Sequence, residues 1–250
     1  MNLILLEPGE VGPGGDVSLF DGRATHLLTV LGAAPGDRVR VGLVDGPRGS
    51  ATVQSAAGGS VTLRCAFEQD LPKRPNVDVL LALPRPKVMR RLWAQLSASG
   101  VGRIVLTNAE RVERDYFDAR ILTPACYRPL LLEGLQQARD TRLPAVSIHK
   151  RFRVLVEDEL DTLFEAGGLR LVADPSARQS VAAAVAEHAR ATPVERTLIA
   201  IGPEGGWNAF ELALLDAHGF KRVGMGPRTL RTDTACVALL AILHAALSAA

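Results

Sequence analysis

The stretch LIAIGPEGGWNAFELALLDAHGF, residues 198–220, holds a strand, a loop and a helix in order. Leu198–Ile201 is a short apolar run, the pattern of a buried strand. Gly202, Pro203, Glu204, Gly205 and Gly206 follow, a loop with one lone carboxylate. Asn208 is placed to cap the next helix, and Glu211 falls at its third position, the spacing of a capping box. Leu212 and Leu215 supply an apolar face, and Gly219 supplies the C-terminal stop. Glycines let a ligand approach the backbone closely. A tight turn that merely needs small residues accounts for the same letters.

The same rhythm extends on both sides. VDVLLAL (77–83) reads as a buried strand, RIVLTN (103–108) as another strand, and LRLVAD (169–174), RTLIAIG (196–202) and KRVGMG (221–226) as short apolar strands. KVMRRLWAQLSASG (87–100) and PACYRPLLLEGLQQARD (124–140) read as helices between them. Strands alternating with helices predict an α/β fold with a mainly parallel, doubly covered sheet. In such sheets ligands bind beyond the carboxyl ends of the strands. The loops that matter therefore begin at Asp174, Gly202 and Gly226.

Residues 1 to about 70 follow another pattern. RVRVGLVDGPRGSATVQSAAGGSVTLRCAFE (38–68) alternates apolar and polar positions around Asp45-Gly46 and Gly58-Gly59, which are hairpin signals. A small β-barrel or sheet is expected there, over residues 1–70. EQDLPKRPN (68–76) has the composition of a linker, so a second domain is expected over residues 75–250.

The bulk composition excludes several classes. Hydrophobic residues make up 47% of the 250 and charged residues 22%, which supports a packed core and argues against disorder. The net charge of +2 is compatible with nucleic acid without demanding it. Three cysteines with no CxxC pair give neither a zinc module nor a disulfide framework, and a reducing cytoplasm is the simplest setting. The start, MNLILLEPGE, lacks the basic segment of a signal peptide, and ACVALLAILHAALSAA at residues 235–250 is too short for a membrane span. No Walker loop, dinucleotide fingerprint, HExxH or GxSxG occurs, and the five histidines show no ligand spacing, so no metal site is expected.

VGMGPRTLRTDTACVALLAILHA (223–245) repeats the strand-then-glycine theme. Pro227, two arginines and three threonines precede a helix expected to start near Thr232 or Asp233. Arginines and hydroxyls at a helix N-terminus suit an anion or a polar ligand. Surface ion pairs of little energetic weight are the plainer alternative for Arg228 and Arg231.

GPEGG followed about twenty residues later by GPRxLRTxTA resembles the SPOUT methyltransferases, and within them the RsmE family, which methylates N3 of a uridine in 16S ribosomal RNA. HLLTVLGAAPGDRVRVGLVDG (26–46) resembles that family's PUA-like barrel. VMRRLWAQLSASGVGRIVLTNAERV (88–112) and EGLQQARDTRLPAV (133–146) resemble its middle segments. The resemblance implies a C-terminal trefoil-knot domain, an obligate homodimer and bound S-adenosylmethionine. It places the cofactor at Ala173 and Asp174; at Ile201, Gly202, Pro203, Glu204, Gly205 and Gly206; at Met225 and Gly226; and at Leu230, Arg231 and Thr232.

The departures from the family pattern concern RNA. After His26, where the family carries arginines, this chain has Thr29 and Gly32. Residues 1–74 hold seven Lys/Arg and eight Asp/Glu, so the barrel is not expected to form a basic patch. Arg85, Lys87 and Arg90 (with Arg91 beside them), Arg139 and Arg142 are the better phosphate candidates alongside His26. For the chemistry, Arg231 is the candidate donor to a developing uracil anion and Glu204 the candidate partner or proton acceptor. Two other readings share these motifs. One is a SPOUT ribose 2′-O-methyltransferase on tRNA or rRNA, against which the barrel and GPRTLRTDTA argue. The other is a catalytically silent RNA-binding or assembly relative, motivated by the missing barrel arginines.

Overall fold

The computed structural model describes residues 2–164, 167–226 and 228–250, so Pro227 of the last loop lies outside the described residues. The chain divides into two compact units, Met1–Arg74 with Leu131–Leu143, and Pro75–Leu130 with Pro144–Ala250.

The first unit is built on a five-stranded sheet of order β1-β3-β4-β5-β2. Its strands are β1 (Ile4–Leu6), β2 (Asp16–Leu19), β3 (Arg38–Leu43), β4 (Arg48–Ala57) and β5 (Ser60–Phe67). β1 and β3 run parallel and the other pairs antiparallel. The order runs from β1 to β2 without pairing those two strands, so the hydrogen-bonded ladder is a sheet rather than a closed barrel. Both expected hairpins form. Gly58 and Gly59 turn between β4 and β5 with φ of 60° and 78°, the left-handed values that a two-residue turn requires. α1 (Gly22–Thr29) starts at Asp21, whose carboxylate accepts from the Arg23 amide at 2.9 Å, and lays Ala24 and Leu27 on the core.

α3 (Pro124–Ala138) and the residues after it supply a piece of this unit that comes from far along the chain. Leu135 packs with Leu3, Leu5 and Val44. The fully buried Thr141 donates its hydroxyl to the Gly46 carbonyl at 2.6 Å, and its own carbonyl accepts from the Asp45 amide at 2.7 Å. Arg142 is buried as well and donates to the carbonyls of Pro72 and Asp45. The expectation that Arg142 offers its charge to a phosphate is therefore corrected, because its guanidinium is spent on backbone carbonyls inside the unit.

The second unit is the expected α/β fold. Its strands are β6 (Val77–Ala82), β7 (Val101–Thr107), β8 (Ala145–His149), β9 (Leu169–Ala173), β10 (Thr197–Ile201) and β11 (Lys221–Val223). They form one sheet of order β11-β9-β10-β6-β7-β8 in which every pair is parallel. All residues of β6 and β10 are buried, as central strands covered on both faces must be. Asp78, fully buried in β6, is held by the Arg196 guanidinium, one of whose bonds is 2.8 Å long.

Helices cover the sheet. α2 (Pro86–Ala98) begins with proline, which suits a first turn, and ends before Gly100 at φ 72°. Val88, Met89, Leu92, Trp93 and Leu96 form its buried stripe. α4 (Phe152–Val154), a π-helical turn (Leu155–Glu159) and α5 (Leu160–Leu163) connect β8 to β9. α6 (Val181–Ala191), α7 (Ala209–Ala217) and α8 (Thr232–Ser248) follow, and α8 packs on α6 and α2. Among the described residues no helix is long and apolar enough to cross a membrane.

Candidate active site

β11, β9 and β10 are neighbours, so the three glycine-bearing loops at their carboxyl ends converge. Between them lies a cavity of about 280 Å³. Its walls include Ala173 and Asp174 after β9, Ile201–Gly206 after β10, Met225 and Gly226 after β11, and Leu230 and Thr232 at the start of α8. All of these are sites expected from the sequence. Ala235, the last residue of GPRTLRTDTA, lines the cavity too, as do Trp207, Leu212, Thr229 and Leu239, which no motif marks for it.

Each wall is fixed locally. The Asp174 carboxylate accepts from the amide and hydroxyl of Ser176 at 2.8 and 2.7 Å, and the Asp174 amide donates to the Val223 carbonyl at 3.0 Å. The loop after β10 closes with the Gly206 amide donating to the Pro203 carbonyl at 2.8 Å. Gly206 has φ 71°, a left-handed conformation that favours glycine. A side chain at Gly202 would press within 3.2 Å of the Trp207 indole, and one at Gly205 within 2.8 Å of Arg111. Arg111 also donates to the Gly205 carbonyl. A side chain in this loop would thus crowd Trp207 at one glycine and Arg111 at the other.

α7 carries the expected capping box. Asn208 Oδ1 accepts from the Glu211 amide and Glu211 Oε2 from the Asn208 amide, each at 2.8 Å. The other Glu211 oxygen accepts from the Glu110 amide at 2.7 Å. One buried carboxylate therefore ties the loop after β7 to the loop after β10.

A second hollow of about 420 Å³ adjoins the cavity. Glu204, Thr229, Leu230 and Thr232 face both, while Arg85, Val88, Arg231 and Asp233 face only the second. Arg231 is therefore placed beside the cavity rather than on its wall. Its side chain is 77% exposed and lies 4.0 Å from the Asp233 carboxylate. Glu204 is exposed, and its Oε1 accepts from the Arg85 amide at 3.3 Å. Asp233 accepts from Arg91 at 2.6 Å, and that hydrogen bond holds its carboxyl below the usual carboxylate range. Behind the wall, burial pushes the Cys236 thiol up to about 12, so it stays protonated and packs as a small apolar group.

The remaining RNA candidates fall elsewhere. Lys87 and Arg90 are exposed on α2 near Arg85, and Arg139 is exposed in the first unit. His26 lies half-buried on α1, its Nε2 shielded from solvent and without a hydrogen-bond partner among the described residues.

The pocket suits S-adenosylmethionine by its own features. Its size approaches the range of small-molecule sites, about 300–1,000 Å³, and its walls are mostly apolar with exposed loop backbone. The buried Trp207 Nε1 on its wall has no partner among the described residues and awaits an acceptor.

The all-parallel sheet carries its cavity over the carboxyl edge, and the family model described as an RNA methyltransferase domain matches residues 72–244. Ribosomal RNA small subunit methyltransferase E of Treponema pallidum is 32% identical over 98% of this chain and 92% of its own length. The protein of that name from Mycobacterium bovis is 27% identical over 90% of this chain and 85% of its own. A crystal structure of ribosomal RNA small subunit methyltransferase E from Neisseria gonorrhoeae, bound to S-adenosyl methionine, superposes with a TM-score of 0.75. That likeness covers 98% of this chain and 97% of the other at 20% identity. The chain belongs to the RsmE family of RNA methyltransferases.

Proposed function

We propose that the protein methylates N3 of a uridine in 16S ribosomal RNA, in the cytoplasm, with S-adenosylmethionine as donor. The observation that carries this is the pair of adjoining hollows divided by Glu204 in a member of this family. One is a backbone-lined cavity of cofactor type; the other is open and flanked by Arg85 and Arg231.

S-adenosylmethionine supplies an electrophilic methyl group. The loops at Asp174, Gly202–Gly206 and Met225–Gly226 would hold it with backbone groups and apolar walls, and Trp207 Nε1 would offer a further donor. The second hollow receives the uracil, presented out of its stack because the N3 edge is otherwise used in pairing. N3 must lose its proton. Arg231, exposed and tethered only loosely by Asp233, is free to turn toward a uracil carbonyl oxygen and stabilise the anion. Glu204 stands where the two hollows meet, the position of a proton acceptor or of a group that orients the base.

On the same reading the first unit is a PUA-like RNA-binding module, and the chain from β9 onward forms a trefoil knot. Val237 and Ile242, exposed on α8, support a homodimer through that helix.

Mass mapping of ribosomal RNA from cells lacking the protein tests the function. The expected result is loss of one 3-methyluridine from 16S RNA, restored by the gene. If every such nucleotide persists at full level, the assignment is wrong.

A further inference from the structure

The first unit is nearly neutral over residues 1–74, yet strand geometry gathers its arginines. Side chains two apart on a strand share a face. Arg38 and Arg40 of β3 therefore point the same way, while Val39 and Val41 beside them are shielded. The register sets Arg40 opposite Ser50 of β4, and Ser50 opposite Ala66 of β5. One step along, Arg38 faces Thr52, which faces Arg64. Arg48 lies on the Ser50 side of β4. Four exposed arginines thus stand on one face of the sheet, around a floor of small residues.

Arg40 and Arg48 of these four also wall a groove of about 520 Å³, together with Arg139, Ser50, Phe67 and Glu68. Gly49 lies within it, at a position where an added Cβ would collide with the Ala66 carbonyl oxygen. Arg64 is taken by Asp16 at 2.5 Å, and Arg48 is 3.6 Å from Asp140. Arg38 holds the Ser50 hydroxyl at 3.0 Å. For Arg40 and Arg139 no ion pair is present among the described residues.

Arg139 reaches this face only because Thr141 and Arg142 bolt the segment after α3 to the β3–β4 turn. It follows α3 with φ 60°, where a helix end normally uses glycine. An L side chain there is strained, because its Cβ crowds the following carbonyl oxygen. Strain retained at a charged, exposed residue points to a role for the side chain rather than for the backbone.

We infer that this groove grips the phosphate backbone of the RNA substrate, with Arg40 and Arg139 as the principal contacts and Arg38 and Arg48 beside them. The chemistry is that of guanidinium forks on phosphate oxygens, contacts that position a nucleic acid without reading its bases. The inference rests on the RNA methyltransferase reading for the identity of the polyanion. The net charge is near zero, but strand alternation gathers Arg38, Arg40, Arg48 and Arg64 on one face, with Asp16, Asp140 and Glu68 among them.

The test is binding of 16S ribosomal RNA across a salt series, with methyl transfer and S-adenosylmethionine affinity measured in parallel. The proteins are wild type, Arg40→Gln, Arg40→Lys, Arg139→Gly and the Arg40→Gln/Arg139→Gly double variant. Removing each arginine should flatten the slope of log affinity against log salt by roughly 0.7–0.9, and the double variant should bind about tenfold more weakly. Arg40→Lys should keep the slope, since a point charge also neutralises a phosphate. Cofactor affinity should not change, and Arg139→Gly should melt no lower than wild type because it relieves the strain. Unchanged slope and affinity in the double variant overturn the groove, as does a lowered melting temperature in Arg139→Gly. If wild type binds RNA steeply but transfers no methyl group, the proposed function fails while the groove stands. If methyl transfer is normal and the double variant matches wild type at every salt, the groove fails alone.

Discussion

Glu204 and Asp233 illustrate how two carboxylates a short distance from one pocket come to differ. Glu204 is exposed and accepts one long bond from the Arg85 amide. Asp233 is gripped by Arg91 and sits in the first turn of α8, where a negative charge also suits the helix dipole. Replacing Glu204 by Gln keeps the shape and removes the proton acceptor. If Glu204 takes the N3 proton, kcat should fall at least tenfold near neutral pH and recover partly as pH rises. A pH–rate profile unchanged from wild type would leave Glu204 only an orienting part. For Asp233 the folded carboxyl titrates below its unfolded value. Its stabilising contribution is therefore present above the unfolded value, about pH 4, and is lost as pH falls through the lower folded one. Asp233→Asn should accordingly melt below wild type at neutral pH, and the gap should close on acidification. A gap that persists into strong acid would place the stabilisation elsewhere.

The elements are legible where their signals are local. Buried runs mark β6, β9 and β10, proline and glycine mark the ends of α2, and Asn208 with Glu211 marks the start of α7. Each depends on neighbours within four residues, so the sequence carries it without help. β8 (Ala145–His149) has no such mark, because its place on the sheet edge leaves residues exposed and blurs the apolar run. The Glu211 bond to Glu110 spans 101 residues and leaves no local signal. It makes a prediction at this scale. Asn208→Ala should cost about 1 kcal/mol of stability, the usual loss of a helix cap. Glu211→Ala should cost more, about 1–3 kcal/mol, since it also strands a second amide. Hydrogen exchange at the Glu110 amide should speed up in Glu211→Ala and stay near wild type in Asn208→Ala. Equal protection of that amide in both would count against the tie.

At the scale of the molecule, the first unit is discontinuous. Leu135 closes the cluster with Leu3, Leu5 and Val44, and Thr141 holds the β3–β4 turn. A fragment of residues 1–74 should therefore unfold without cooperativity or aggregate through its uncovered leucines. The same fragment with residues 131–143 supplied should gain amide dispersion and a measurable transition. A well-folded 1–74 fragment would show that the returning segment is dispensable.

Composition, alternation and loop chemistry determined a good deal unaided: an α/β sheet after a β-rich start, and three strands ending in glycine or acidic loops. These are short-range properties, set by sterics and periodicity over a few residues. Tertiary structure alone decided which ends meet, because strand order is a long-range choice that puts β9 between β11 and β10. It also decided that Arg111 braces the glycine loop, that Arg231 stands beside the cavity, and that Arg142 is buried while Arg139 is not. Identical guanidinium groups three residues apart differ there for one reason: the hydrogen bonds that consume one of them come from residues about 70 and 97 positions away.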